Sequence, residues 1–254
     1  MSIVFQRPFA FQDEIVPEGC SLVGTSALVQ ALGVAAPVRR PCCVSERHVA
    51  GSTRTVGKWK FFDRRYRPED TLAGHLTFAL KHEDADLLVW KRIFDVLPEA
   101  DMAAFVIATP AGIANRRAWF FYETLTGRTL DIDDAKGRTE AVDALDPSAC
   151  FTAKSRLSKR HRVRDNLLGT GRFCPVIRRT PELEAFVSAK LGEKVGGIVG
   201  RTGRQLIARA ASFLLLADSR ASFEIEGERA PVSRLERWGR AVLQAGRRPL
   251  SVAA

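Results

Sequence analysis

Ser222 and Glu226 stand four residues apart in the stretch Ser222-Phe223-Glu224-Ile225-Glu226-Gly227, so on a helix a hydroxyl and a carboxylate share one side. A carboxylate in that position can hold a guanidinium through two parallel hydrogen bonds. The segment before it carries Leu206, Ile207, Ala210, Phe213, Leu214 and Ala217 at i, i+1, i+4, i+7, i+8 and i+11, one apolar stripe on a helix. The pattern predicts a helix over about 202–226 that buries this stripe in the chain's own core and turns Ser222 and Glu226 toward something else. Gly227 supplies the helix stop. A solvated acidic helix end is the plainer reading of the same residues.

The other chemistry-bearing residues are more scattered. A basic run from Lys154 to Arg164 contains Lys159, Arg160, Arg162 and Arg164, with His161 among them. These four cations are candidates for phosphate or nucleic-acid contacts; a solvated connector explains the run equally well. It holds no aromatic residue, so it offers no platform for base stacking. The four histidines, His48, His75, His82 and His161, form neither an H-E-x-x-H pair nor an evident triad. Cys20, Cys42, Cys43, Cys150 and Cys174 form an odd set without a C-x-x-C pair, which predicts buried or idle thiols and no metal site. Asp133-Asp134 reads as a surface turn. There is no phosphate-binding loop and no G-x-S-x-G elbow, so no nucleophile is supplied with its base. As an enzyme the chain looks incomplete.

Composition bounds these readings. Of 254 residues, 46% are hydrophobic and 27% charged, which is ordinary for a globular protein with a substantial core. No apolar run reaches membrane-spanning length, and the first residues lack a secretory signal, so a cytoplasmic protein with no membrane partner is expected. The net charge of +10 is uneven: residues 151–254 hold 21 basic against 9 acidic side chains, residues 1–150 hold 18 against 20. A basic second half suits nucleic acid, a nucleotide's phosphates or an acidic partner.

The elements that must position these groups read mostly as helices. A short one is predicted from Ser21 to Leu32, stopped by Gly33, followed by a long loop over 34–57 and a strand or aromatic anchor at Trp59-Lys60-Phe61-Phe62. Pro68-Glu69-Asp70 opens the next helix, Asp84 caps another, and a third runs through Met102 and Ala108. Thr109-Pro110 reads as the N-cap and first residue of a fourth, closed by Gly127. Residues 128–146 read as an acidic loop. Thr180-Pro181 starts a helix to about Leu191, Gly192 to Gly203 forms a hinge, and the last helix runs from Pro231 to Gln244. The expectation is a mainly α fold, a helical bundle with a short β element near residues 54–66. Two regions follow from the charge reversal: a helical N-terminal region with an irregular arm over 1–150, and the basic connector with the long helix over 151–254.

With these residues in view, the chain resembles a family. The stretch 222–227, with the preceding 214–220, resembles the inhibitory motif [ST]-x-x-x-E-[GN] of Fic (filamentation induced by cAMP) proteins. Residues 117–127, then 160–167 followed by 173–180, look like the upstream regions of long bacterial members in the same order. The likeness covers about residues 70–250. In that family AMP passes from ATP to a Tyr, Thr or Ser hydroxyl of a target protein.

The resemblance implies roles. Glu226 matches the inhibitory glutamate, which pairs with the second arginine of the catalytic loop and keeps it from the ATP γ-phosphate; Ser222 and Gly227 match the motif's other two positions. A carboxylate gripping a guanidinium competes directly with phosphate for the same donors. ATP and Mg2+ are implied for the full-length family, with none bound by this chain alone. The departure is equally plain: the catalytic signature H-x-F-x-[DE]-G-N-G-R-x-x-R does not occur in these 254 residues. No catalytic residue is therefore assigned. The expected function is the N-terminal autoinhibitory part of such an AMP-transferase, ending before the catalytic loop and inactive by itself, with a Fic core in cis or in trans as partner. The alternative is a helical nucleic-acid-binding regulator using the basic 154–179 region.

Overall fold

A computed structural model describes residues 3–5, 7–229 and 231–242. The chain divides into two compact units, residues 1–179 and 180–254. Residues 150–178 supply strands that pair inside the first unit.

The expectation of a mainly α bundle is overturned. Among the described residues 45% are helix and 14% strand, with four small sheets, a mixed α/β fold. Two strands of the largest sheet, at 42–45 and 53–56, come from the stretch read as a long loop, and a third is the expected strand at Trp59–Phe62. The sheet joins β3 (Cys20–Leu22), β4 (Cys42–Ser45), β5 (Thr53–Val56) and β6 (Trp59–Phe62) in the order β3-β4-β6-β5, after a two-stranded hairpin of β1 (Ala10–Phe11) and β2 (Glu14–Ile15). β4 runs antiparallel to β3 and parallel to β6, while β5 and β6 form a hairpin with β5 at the edge. All four residues of β4 are buried and all four of β5 are exposed. The β element therefore includes the expected 54–66 region but extends well beyond it.

Five helices build the core of this unit: α1 (Gly24–Leu32), α2 (Leu72–His82), α3 (Leu87–Val96), α4 (Glu99–Ala108) and α5 (Ile113–Thr126), with α1 packed on β4 and on α2, and α5 packed on α2, α3 and α4. α1 ends where expected, with Gly33 at φ +63°, although Ser21 belongs to β3. α2 is capped by Thr71 and α3 by Asp86, each accepting an N–H three residues on, so Asp84 is not the cap. Thr109-Pro110 does not open a helix. Thr109 closes α4 and the next helix starts at Ile113. α5 is the central helix, buried along most of its length through Ala118, Trp119, Phe120, Phe121, Tyr122 and Leu125, and stopped by Gly127 at φ +72°.

The basic run is not helical. Residues 142–178 form β7 (Val142–Asp143), β8 (Cys150–Phe151), β9 (Arg156–Ser158), β10 (Val163–Asp165) and β11 (Ile177–Arg178). β9 and β10 make an antiparallel hairpin, β10 pairs in parallel with β7, and β11 pairs with β8. Arginines on α5 tie these strands to the helical layer. Arg116 donates to the carbonyls of Glu140 and Arg162, and Arg117 to those of Ala144 and Leu80.

The second unit holds α6 (Pro181–Ser188), α7 (Leu191–Arg201), α8 (Arg204–Ile225) and α9 (Val232–Val242). Thr180 caps α6 and Pro181 sits in its first turn, as expected. The expected hinge over 192–203 is largely helix α7 despite its glycines. The expected helix end at Gln244 lies outside the described residues. No helix among the described residues is long and apolar enough to cross a membrane.

Candidate functional site

α8 ends where its sequence says it should. Glu226 is the C-cap, Gly227 adopts φ +74°, and the Glu228 N–H returns to the Phe223 carbonyl at 2.8 Å. That closure satisfies helix-end carbonyls and fixes the direction of the chain into α9. The apolar stripe is placed differently from expectation. Leu206, Phe213 and Leu214 are 63%, 74% and 61% exposed, so the stripe is not buried in the chain's own core. α8 instead packs on α9 through Leu215, against Gly239, with Ser219 buried on the same side. Seven residues bring a helix back to nearly the same angle, so Glu226 lies below Ser219 on the side that faces α9.

The result is an open groove of about 510 Å³ lined by Ser222, Phe223, Glu226, Arg234, Arg237 and Trp238. Arg234 is held in place by Glu228 at 3.0 Å and lies over the Phe223 ring, whose edge meets Trp238. Ser222 and Glu226 are both exposed, and the Glu226 carboxylate has no hydrogen-bond or ion-pair partner among the described residues. An unpaired carboxylate on a fixed helix end, beside an aromatic wall, is arranged to receive a guanidinium or ammonium from outside. The α9 side of the groove was not legible in the sequence, because nothing local reports which face of α9 meets α8.

The basic candidates of the first unit fall into two kinds. Lys159 is exposed on the β9–β10 turn. Arg160 is instead enclosed in a polar cluster on α5: it donates to both oxygens of Glu123 (3.0 and 3.1 Å), to the Leu130 and Ile132 carbonyls and to Asp134, and stacks on the Trp119 ring. Arg164 forms a forked pair with Asp143 (2.8 and 3.1 Å), and Arg162 donates to the Thr139 carbonyl. The helical basic face expected over 154–179 is thus a strand hairpin whose central arginines hold the fold together.

Glu123 is the residue the sequence reading missed. Its carboxylate also accepts from Trp119 Nε1 at 2.7 Å and the Leu130 N–H at 3.0 Å, and lies 3.0 Å from His161 Nε2. Burial pushes Glu123 up, but hydrogen bonds from Arg160, Trp119 and the Leu130 N–H outweigh it and hold its carboxyl below the usual range. His161, buried between Trp119 and Phe120, is pushed down by burial against the pull of Glu123, and its Nδ1 lies 2.7 Å from Ser158 Oγ. A Ser–His–Glu chain therefore exists. Its carboxylate is already balanced by Arg160, which leaves little charge to stabilise an imidazolium and makes the cluster a structural lock. The Trp119-x-x-x-Glu123 spacing, one helical turn, was the available signal.

The remaining groups are quiet. Burial raises the Cys42 and Cys43 thiols far above their ordinary value, as expected of idle core cysteines. His75 is buried with its Nδ1 accepting the Gly24 N–H, and His82 packs on Phe62, Tyr66 and Phe78. Among the described residues no three His, Cys, Asp or Glu side chains gather in a way that could hold a metal ion. Compared with models of known families, with curated proteins and with solved structures, the chain finds no match in any of the three.

Proposed function

We propose that this chain is the regulatory part of a Fic-type AMP-transferase, in which the second unit docks on a catalytic core and α8 carries Glu226 to an arginine that would otherwise hold the ATP γ-phosphate. The observation that carries this reading is the exposed apolar face of α8, leading to a carboxylate with no partner of its own. A 22-residue helix with Leu206, Phe213, Leu214 and Ile225 in solvent leaves surface that contact with another domain would cover. At the core, Glu226 acts by competition: the guanidinium fork cannot grip a carboxylate and a phosphate at once, and the negative charge repels the nucleotide's terminal phosphate. The nucleotide and Mg2+ belong to the core; Ser222, Glu226 and Gly227 position the block and carry out no chemical step.

The test mixes the full chain with a Fic core bearing the complete histidine signature and follows transfer of labelled AMP to protein. Inhibition that rises with chain concentration and is lost in Glu226→Gly supports the reading. Neither binding nor inhibition, or equal inhibition by Glu226→Gly, overturns it.

A further inference from the structure

The first unit carries a concentrated positive surface where the sequence reading placed only an arm. Residues 47–67 contain seven Lys and Arg but one acid, Asp63, in a half of the chain whose overall balance is acidic. The fold turns that acid inward. Asp63 is 5% exposed and accepts the Val49 and Arg65 N–H groups, with His48 Nδ1 2.7 Å away. The Asp63 N–H donates in turn to the Ser52 carbonyl, and Arg65 donates to Ser52 Oγ. Asp63 thereby ties together three stretches, at 47–49, 52 and 63–65, each with an exposed arginine in it or within two residues of it.

Those arginines face solvent. Arg47, Arg54, Arg64, Arg65 and Arg67 are all exposed, and the side chains of Arg47, Arg54 and Arg64 engage no other described residue. This contrasts with Arg160 and Arg164, which are occupied by Glu123, Asp134 and Asp143. Arg54 lies on β5, whose outer edge pairs with no other strand of its sheet. Guanidinium forks and free edge N–H groups are donors that meet phosphate oxygens along a nucleic-acid backbone.

We infer that the rim formed by Arg47 in the β4–β5 loop, Arg54 on β5, and Arg64, Arg65 and Arg67 in the segment after β6 binds the phosphate backbone of duplex nucleic acid. The recognition is independent of sequence. Tyr66, which stands between Arg65 and Arg67, is packed against Phe62 and His82 and lies under the Arg65 guanidinium, so it offers no face for an unstacked base. A membrane surface fits less well, since among the exposed residues of β5 only Val56 is a large apolar side chain. This surface lies within the first unit and stands whether or not Glu226 inhibits a transferase.

The experiment titrates the full chain into a labelled duplex of about 25 base pairs at about 50 and about 200 mM salt, read by anisotropy. Four to five backbone contacts give a log–log salt slope of about −4, so affinity falls by about two orders of magnitude between the two conditions. The variant Arg47→Ala/Arg54→Ala/Arg64→Ala removes three side chains that support nothing in the fold, and its affinity at low salt drops at least about tenfold with a shallower slope. A second variant with the same charge loss elsewhere, at three exposed basic residues outside both this rim and the 154–179 run, Arg92→Ala/Lys136→Ala/Arg138→Ala, binds as the parent does. Absence of salt-sensitive binding overturns the inference. So does equal loss in both variants, which would report net charge alone, or tighter binding to phosphatidylserine vesicles than to duplex, which would make the surface a membrane contact.

Discussion

His75 and Glu83 accept the backbone N–H groups of two consecutive residues, Gly24 (3.2 Å) and Thr25 (3.2 Å), at the start of α1. A residue inside α2 and the residue closing it thus serve as the N-terminal cap of a helix some fifty residues earlier, since Val23 in the cap position bonds through no side chain. The arrangement locks α1 on α2 at the centre of the first unit and gives that contact a pH dependence.

Burial pushes the Glu83 carboxyl from 4.5 up to about 7 against the hydrogen bonds from Thr25, and pushes His75 from 6.5 down to about 4 against the pull of Asp70. Between about pH 4.5 and 7 the folded state holds a proton on Glu83 that the unfolded chain releases, so this term lowers stability as pH rises. Between about pH 4 and 6.5 the unfolded chain holds a proton on His75 that the folded state lacks, so this term raises stability as pH rises. Where the windows overlap the two oppose each other. Thermal melts of the parent protein are expected to change little from these groups between pH 4.5 and 6.5, to fall as pH rises through about 7, and then to level off. Glu83→Gln keeps an acceptor for Thr25 and removes the falling term, so its melting temperature should climb steadily from pH 4.5 to 6.5 and then level off. A parallel profile for parent and variant would refute the assignment.

Gly24 is fixed by the same contact. It sits at φ +59°, and a Cβ there would run into the Glu83 carboxylate and the Phe78 ring. Gly24→Ala is expected to cost about 2–4 kcal/mol in urea or guanidinium unfolding, combining a left-handed backbone with displacement of a buried carboxylate. Gly19→Ala, also at positive φ but with open space around it, should cost about 1 kcal/mol.

The cluster around Glu123 calls for breaking the pair from either side. Arg160→Ala leaves a carboxylate with its main counter-charge gone, while Glu123→Gln leaves Arg160 with Asp134 and two carbonyls. The former is expected to destabilise by about 3 kcal/mol and the latter by less. Arg160→Lys should not restore stability, because one ammonium cannot replace a fork that reaches Glu123, Asp134 and Leu130 together. Denaturant midpoints for the three variants decide the order.

Several helix ends could be read directly. Gly33 and Gly127 stop helices because both occupy the left-handed region, and Thr180-Pro181 opens one because cap and fixed φ coincide. The strands could not be read the same way. Cys42 to Ser45 is buried on both faces and so shows no alternation, while β7, β8 and β11 are two residues long and exist only through partners distant in sequence. Thr109-Pro110 misled because a cap-like pair can equally end one helix and turn into the next. At the candidate site, Ser222, Glu226 and Gly227 were legible because they are contiguous. Arg234, Arg237 and Trp238 were not, because the packing of α9 on α8 chooses them, and the side of α8 that packs is set by Leu215 and Ser219 rather than by the more obvious stripe.

That inverted choice of face yields the sharpest test of the second unit. Phe213 and Leu214 are exposed, so Phe213→Glu or Leu214→Glu should leave the far-ultraviolet circular dichroism and melting temperature of the chain close to the parent's. A stripe buried in the chain's own core would instead lose about 3 kcal/mol or more on receiving a carboxylate. If the stripe is the surface that meets a catalytic core, the same two variants lose inhibition of AMP transfer together with binding to that core. Glu226→Gly should lose inhibition while binding is retained, because docking rests on the apolar face and blocking on the carboxylate. Loss of melting temperature in the stripe variants would mean that α8 packs through that face after all, and the docking surface would have to be sought on its other side.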